Sequence, residues 1–444
     1  MKIYVETLGC PKNETDSLQL EGLLEDHGHR VVGEPDDAEV FVVNTCGFIN
    51  DAKKESIDQI LAFAAYKTGK EILVVTGCLS QRYGEDLTKA IPEIDILLGV
   101  NDYQALPQML QEYEKGKVNV ACHPAPSEYS EWGHRTNSSP GYSAYLKIAE
   151  GCNNTCAYCV IPSIRGPYLS RKKENILEEA GDLAAKGCKE LILVAQDVTA
   201  YGQDLYGEYS LTGLLEALCQ IDGIRWIRLM YCYEDRITEE LISVMAREEK
   251  ICHYIDIPLQ HVSDRVLRSM NRRSTNASIR NTIECLRRAM PDIVIRSTLI
   301  TGFPGETKEE FEEMLAFVKE MELERLGVFA YSKEEGTPAA LMKEQVHPRT
   351  KNARRDRIME AQRLISLKNN QKKIGATLEI LVETREEDGT YIGRSRYDAP
   401  DIDFSVLFTA ANEELEAGDL VDVKITDAFD YDLTGEFVKH TERK

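Results

Sequence analysis

Residues 150–166 read EGCNNTCAYCVIPSIRG and bring Cys152, Cys156 and Cys159 within eight positions. Three soft sulfur ligands on one short loop suit a metal. Structural zinc takes four closed ligands, most often from two paired Cys-x-x-Cys knuckles, and no second knuckle follows here. A four-iron, four-sulfur cluster is normally held by four cysteines. Three cysteines leave one iron open to a substrate or cofactor. An open iron can chelate the amino and carboxylate groups of S-adenosylmethionine and pass an electron to its sulfonium. The carbon–sulfur bond then breaks and a 5′-deoxyadenosyl radical forms.

Three further cysteines end apolar runs: KIYVETLGC at Cys10, AEVFVVNTCGF at Cys46 and EILVVTGCLS at Cys78. Each alone reads as a small buried hydrophobe. At equivalent strand ends of one parallel sheet, the three could converge on a second metal centre. Gly9, Gly47 and Gly77 adjoin them, where a missing side chain lets backbone approach a bulky ligand. Cys122, Cys188, Cys219, Cys232, Cys252 and Cys285 show no ligand spacing and read as core or surface thiols.

These residues must be positioned by a chain of 444 residues, enough for two or three domains. No segment reaches the roughly 18 uninterrupted apolar residues of a membrane span, and the first residues lack a signal-peptide pattern. The expected location is cytoplasmic. In a reducing compartment, twelve cysteines argue for metal ligation or catalysis over disulfides. A net charge of −22 is the wrong sign for a typical nucleic-acid binder and fits a basic protein partner better. A global count does not forbid a local basic patch.

The first ~120 residues alternate apolar strands with helix-like segments, the pattern of a doubly wound parallel sheet whose C-terminal strand ends line the ligand crevice. Residues 123–142 read as an exposed connection. From Ser143 a second series follows: SAYLKIAE, ELILVAQ, IRWIRLMY, YIDIPLQ, DIVIRSTLITG and RLGVFAYS. Six β/α units predict a partial (β/α) barrel, with the three-cysteine loop after its first strand, on the active face. A polar helical stretch, 349–373, reads as a connector. The last ~70 residues hold five short strand patterns, predicting a small antiparallel β-barrel. The class is therefore α/β with an appended β-barrel.

The loop, with Tyr158 before its last cysteine and its place after the first barrel strand, resembles that of radical S-adenosylmethionine enzymes. Together with TLGCPKN, VNTCGFI, TGCLSQRY, DIPLQHVSDRVLRSMNR, TLITGFPGET and YSKEEGTPA, it resembles the methylthiotransferase family over nearly the whole chain. The resemblance implies an N-terminal domain over 1–118, a radical S-adenosylmethionine core over 138–368 and a TRAM barrel over 371–444. It implies two four-iron clusters, one on Cys152, Cys156 and Cys159 and an auxiliary one on Cys10, Cys46 and Cys78, with S-adenosylmethionine as cosubstrate. A sulfur-containing group would sit on the open iron of the auxiliary cluster.

Family members differ in substrate. Pro11 and Lys12 after the first cysteine, and His261 and Val262, are similar to the branch that modifies an aspartate of the twelfth small-subunit ribosomal protein. The alternative is the branch that modifies adenosine in transfer RNA. The C-terminal 74 residues carry 9 Lys+Arg against 18 Asp+Glu, which favours a basic protein over RNA as partner. An external electron donor is implied. Gln196 and Asp197 close a barrel strand and are expected either to contact cofactor or substrate or to cap a loop. Arg296 is expected to pair with the methionyl carboxylate or to form a surface or interdomain salt bridge. Gln260 and His261 end another strand. GFPGET, 302–307, lacks the Gly-Lys-Ser/Thr ending of a phosphate loop.

Overall fold

Near-continuous apolar runs such as FVVNT and ILVVTG are what strands buried on both faces require. In the computed structural model they form the middle of an N-terminal sheet. The structure describes residues 1–114, 117–131, 135, 141–410 and 413–441. Much of the expected 123–142 connection thus lies outside the described residues, as do the expected boundaries at 138 and 444. The N-terminal strands are β1 (Lys2–Thr7), β2 (Arg30–Val31), β3 (Val40–Thr45), β4 (Ile72–Gly77), β5 (Ile96–Leu98) and β6 (Asn119–Ala121). They pair in the order β2-β1-β3-β4-β5-β6, parallel throughout. Val40 and Val42 pack on one face with Leu20, Leu24 and Leu106; Phe41 and Val43 pack on the other with Ile60, Phe63 and Leu87. The sheet is doubly wound, and its order reverses between β1 and β3.

The central sheet holds six parallel strands: β7 (Ser143–Lys147), β10 (Glu190–Val194), β11 (Trp226–Leu229), β12 (Ile251–Gln260), β13 (Val294–Thr301) and β14 (Arg325–Ala330). They run in the order β14-β13-β12-β11-β10-β7 and do not close, so the barrel is partial. Leu191, Leu193, Ile227 and Ile255 face the outer helices, while Ile192, Trp226 and Tyr254 face inward. A short hairpin, β8 (Ala149–Glu150) with β9 (Leu169–Ser170), brackets the three-cysteine loop. The stretch read as a connector is a helix, Pro348–Gln371. It buries Ile358 and Ile365 in the main barrel core, so it completes the barrel's outer layer.

The C-terminal strands are β15 (Thr377–Arg385), β16 (Tyr391–Ser395), β17 (Val406–Thr409), β18 (Leu420–Ala428) and β19 (Leu433–His440), closed in the order β15-β16-β17-β19-β18. The expectation of a purely antiparallel barrel is corrected at one seam, because β17 and β19 run parallel. Five strands cannot alternate direction around a closed ring, so one parallel pairing is forced by parity. This barrel covers the inner face of the central sheet. Leu381 and Ala399 pack with Tyr145, Trp226 and Tyr254, and Trp226 Nε1 donates to Glu379 Oε1 at 2.7 Å. Below them Glu190 is held by Arg228 Nε at 2.9 Å and by Arg394, and Arg325 pairs with Asp398 at 2.6 Å. Among the described residues, no helix is long and apolar enough to cross a membrane.

Candidate functional site: two three-cysteine sets across one junction

In a doubly wound sheet, ligands bind outside the carboxyl ends of strands where the order reverses. Cys10 follows β1 and Cys46 follows β3, so they flank that point, and Cys78 follows the neighbouring β4. Cys10 caps the helix Pro11–Asp26, and Cys78 opens the helix Cys78–Ala90. Both helix N-termini favour negative charge at this end of the sheet. Gly9 has φ +101°, and a Cβ built on it would lie 2.8 Å from Cys46 Cβ and 3.2 Å from its Sγ. Only a glycine lets the two segments approach this closely.

The loop site is built locally. Gly151, at φ +77°, leaves no room for a side chain, because a Cβ there would lie 2.0 Å from the Pro167 carbonyl oxygen. The Cys152 amide closes the loop base onto the Gly166 carbonyl at 3.1 Å. Backbone amides of Asn154 and Ile161 point at Cys152 and Cys159 Sγ, each at 3.4 Å, and Cys156 Sγ lies 3.8 Å from Tyr233 Oη. The Ala157 amide and carbonyl bond to Met270 and Ala339 backbone at 2.9 and 2.8 Å, anchoring the loop to the barrel.

One arginine joins the two sets. Arg165, at the end of the loop, is fully buried; its Nε reaches Cys78 Sγ at 3.4 Å and its Nη2 donates to Asn13 Oδ1 at 2.6 Å. Its Nη1 pairs with Glu150 at 2.9 Å and Asp16 at 3.0 Å. Lys147 from β7 pairs with the same two carboxylates. Asn13 in turn donates to the Leu8 and Thr45 carbonyls at 2.8 and 3.0 Å, next to Cys10 and Cys46. A buried four-charge network thus sets the two cysteine sets in register. The sequence motifs contained Arg165, Glu150 and Asn13, yet nothing in their spacing announced this role; Lys147 and Asp16 lay outside the cysteine motifs.

The other expected residues divide. Tyr158 packs beside Phe303 and Met270, and its hydroxyl is pushed well up by burial and by Cys156. Gln196 donates to Glu150 Oε1 at 2.5 Å, while its own Oε1 is buried without a partner among the described residues. Asp197 accepts from Asn154 Nδ2 at 2.8 Å and pairs with Arg236, which fixes the cysteine loop from outside. Arg296 bridges Asp256 at 2.8 Å and Asp403 of the C-terminal segment at 3.4 Å. His261 is fully buried, its Nδ1 accepting from the Ser263 amide at 3.0 Å, a structural role. In GFPGET, Glu306 accepts from the Gly302 amide at 2.7 Å and pairs with Arg354 of the long helix at 2.6 Å. Cys188, Cys219, Cys232 and Cys252 are buried.

The donor chemistry fits iron–sulfur clusters. Burial pushes the thiols up, to about 11 at Cys46 and about 12 at Cys159, with Cys78 and Cys152 raised too. Without metal these side chains stay protonated, so metal binding must displace the protons. Amide N–H groups aimed at Cys152 and Cys159, and Arg165 aimed at Cys78, are the contacts that stabilise sulfur once it is anionic. Among the described residues no three His, Cys, Asp or Glu side chains converge on one ion. A multi-iron cluster spaces its cysteines more widely than a single ion does.

Comparison with known proteins matches this division of the chain. Residues 2–99 match an uncharacterized protein family, UPF0004; residues 146–318 match the radical SAM superfamily; residues 374–438 match the TRAM domain. Among solved structures, the radical S-adenosylmethionine methyltransferase TsrM of Kitasatospora setae superposes with a TM-score of 0.57 at 14% identity, over 85% of this chain and 76% of that one. The cobalamin-dependent radical enzyme OxsB gives 0.53 at 14%, over 81% and 56%. At such identity the likeness is one of fold. Fold and sequence together define a radical S-adenosylmethionine enzyme carrying a TRAM barrel.

Two proteins named ribosomal protein uS12 methylthiotransferase RimO align over almost everything. That of Clostridioides difficile is 47% identical over 438 residues, 98% of each chain, and that of Desulforamulus reducens is 49% identical over 438 residues, again 98% of each. The chain belongs to the RimO family of methylthiotransferases.

Proposed function

We propose that this transferase adds a methylthio group to the β-carbon of an aspartate in ribosomal protein uS12. Cys152, Cys156 and Cys159 would hold one four-iron cluster and S-adenosylmethionine, and Cys10, Cys46 and Cys78 the auxiliary cluster. The observation that carries this reading is Arg165, which touches Cys78 of one set while closing the loop that bears the other. When bound, the groups supply reductive cleavage of S-adenosylmethionine and a store of transferable sulfur, chemistry that acid–base side chains cannot perform on an unactivated C–H bond.

The chain's own residues supply position and exclusion of water. Lys147, Arg165, Asp16 and Glu150 fix the distance between the two sets. The C-terminal barrel closes the inner end of the central sheet through Leu381 and Ala399, leaving the cysteine-bearing rim as the reactive end. Tyr158 and the unpartnered Gln196 Oε1 are assigned to the cofactor space. Arg296 holds Asp256 in place. An external donor provides the electron, and the enzyme works in the cytoplasm beside the ribosome. The acidic TRAM barrel suits a basic protein partner better than RNA.

Mass spectrometry of ribosomal protein and transfer RNA from cells with and without the gene tests the reading. Loss of a methylthio group from the uS12 aspartate, with transfer RNA unchanged, is expected. Loss from adenosine alone would replace it with the transfer-RNA activity.

A further inference from the structure

The chain carries a net charge of −22, yet residues 264–273, DRVLRSMNRR, hold four arginines against one aspartate. The fold sets this basic segment against the loop of Cys152, Cys156 and Cys159. The Ala157 amide donates to the Met270 carbonyl at 2.9 Å, and Asn271 Nδ2 donates to the Thr155 carbonyl at 2.9 Å. A second segment grips the same part of the loop: the Ala339 amide donates to the Ala157 carbonyl at 2.8 Å, and Met342 packs in the cluster that holds Ala157.

The side chains on these two segments divide by direction. Arg272 is buried, its guanidinium 4.6 Å from the Tyr233 ring centroid, and Tyr233 Oη lies 3.8 Å from Cys156 Sγ. This inward arginine is the one that faces the sulfur ligands. Arg265 is paired with Glu310. Arg268 and Lys343 are exposed and, among the described residues, form no ion pair. Arg273 is 75% exposed and reaches Asp235 only at 3.9 Å. Leu341, on the second segment, is 86% exposed. A cleft of about 190 Å³, lined by Asn153, Thr155, Cys156, Tyr233 and Arg273, leads from this surface to the loop. Asn153 and Thr155 are exposed while Cys152 and Cys156 are buried, so the ligands lie one residue beneath the surface.

We propose that this surface docks the reductant, a small acidic one-electron carrier protein, through Arg268, Arg273, Lys343 and the exposed Leu341. The inference rests on the radical S-adenosylmethionine reading above. One electron passes from the carrier to the iron held by Cys152, Cys156 and Cys159, and no bond forms or breaks in that step. Electron transfer weakens steeply with distance, and a carrier seated here stands about a side chain's depth from two of the ligands. The acidic chain at large repels an acidic carrier, so a local cationic patch fixes where it lands. The same patch repels a basic substrate. RNA would also be attracted, but phosphate neutralisation needs no place on the cysteine loop, and an exposed leucine suits a protein contact.

The test uses reconstituted full-length enzyme and two acidic carriers, a flavodoxin and a low-potential ferredoxin. Wild type is compared with Arg268→Glu/Arg273→Glu. A control, Lys2→Glu/Arg30→Glu, makes the same charge change at the amino ends of β1 and β2, opposite the cysteines. Dissociation constants are measured by surface plasmon resonance at low and high salt. Deoxyadenosine release is driven in parallel by reduced carrier and by dithionite. Wild type should bind a carrier with an affinity that falls as salt rises. The Arg268 and Arg273 reversal should weaken binding at least about tenfold, mostly through slower association, and the control should stay within about twofold of wild type. Carrier-driven release should fall with binding, while dithionite-driven release matches wild type. Unchanged carrier binding in the reversal overturns the proposal, as does equal weakening in the control, which leaves only net charge. A reversal that loses a ribosomal RNA fragment but keeps the carrier also overturns it and assigns the patch to RNA. If wild type releases no deoxyadenosine with dithionite, the radical reading has failed first. If it does so while carrier affinity ignores the reversal, only the docking site has failed.

Discussion

The two three-cysteine sets are assembled by opposite routes. Cys152, Cys156 and Cys159 lie on one loop closed at its base by Gly151 and the Cys152–Gly166 bond. Cys10, Cys46 and Cys78 lie 36 and 32 residues apart and meet only because three parallel strands place their carboxyl ends side by side. The first is a local motif with its own backbone lock. The second is a property of a sheet, and loses its geometry if strand order or register is lost. A loop site can be carried between proteins; a sheet site must be inherited with its fold.

The largest expected effect separates the sets by function. In reconstituted enzyme, Cys156→Ala should lower both deoxyadenosine release and product by about a thousandfold or more. Cys46→Ala should keep deoxyadenosine release within about fivefold of wild type yet abolish methylthio transfer. Each change should reduce iron from about eight to about four atoms per chain. Retained cleavage in Cys156→Ala, or normal methylthiolation in Cys46→Ala, would break the division of labour.

A second effect tests whether the sets are mechanically one. Arg165→Met strands the carboxylates of Asp16 and Glu150 beside a single remaining cation, Lys147. Breaking one partner out of a buried ion network typically costs about 3–5 kcal/mol. Calorimetry of the iron-free full chain should show a markedly lower first transition, with Arg165→Lys intermediate because it keeps the charge but not the fork. Unaltered stability in Arg165→Met would mean that the two sets are seated independently.

The same contrast explains what could be read from sequence. The loop was legible as a candidate site because its three cysteines are close in sequence, and the five C-terminal strands because Gly and Asp punctuate them. The sheet site was legible only through its repeat of strand, cysteine and helix; the short β2, β5 and β6 lack a strand pattern. The junction was invisible. Arg165, Lys147 and Asp16 look like ordinary surface charges until the chain places them 2% or less exposed in one cluster. The helix Pro348–Gln371 was misread because its buried side includes Gln362, Ser366 and Asn370, which break the apolar stripe that marks a core helix. Gln362 Nε2 instead bonds to the Leu323 carbonyl at 2.8 Å, a contact no periodicity encodes.

The smallest effect concerns Glu150, the barrel-side carboxylate of the junction. Burial alone would push Glu150 up, but Arg165 and then Lys147 outweigh it and hold its carboxyl well below the usual carboxylate range. A depressed folded-state value means the ionised form is what folding favours. Its contribution is therefore complete above the unfolded value of about 4.3 and drains away as pH falls below that toward the folded one. Glu150→Gln keeps the shape and lacks the charge. In the iron-free full chain, wild type should exceed this variant by about 1–3 kcal/mol between pH 5 and 7. That gap should stay flat across this range and narrow once the pH drops below about 4.3. A gap that widened on acidification would reverse the sign of the argument, and would mean that Glu150 is held neutral and that Arg165 binds the two sets through Asp16 and Asn13 alone.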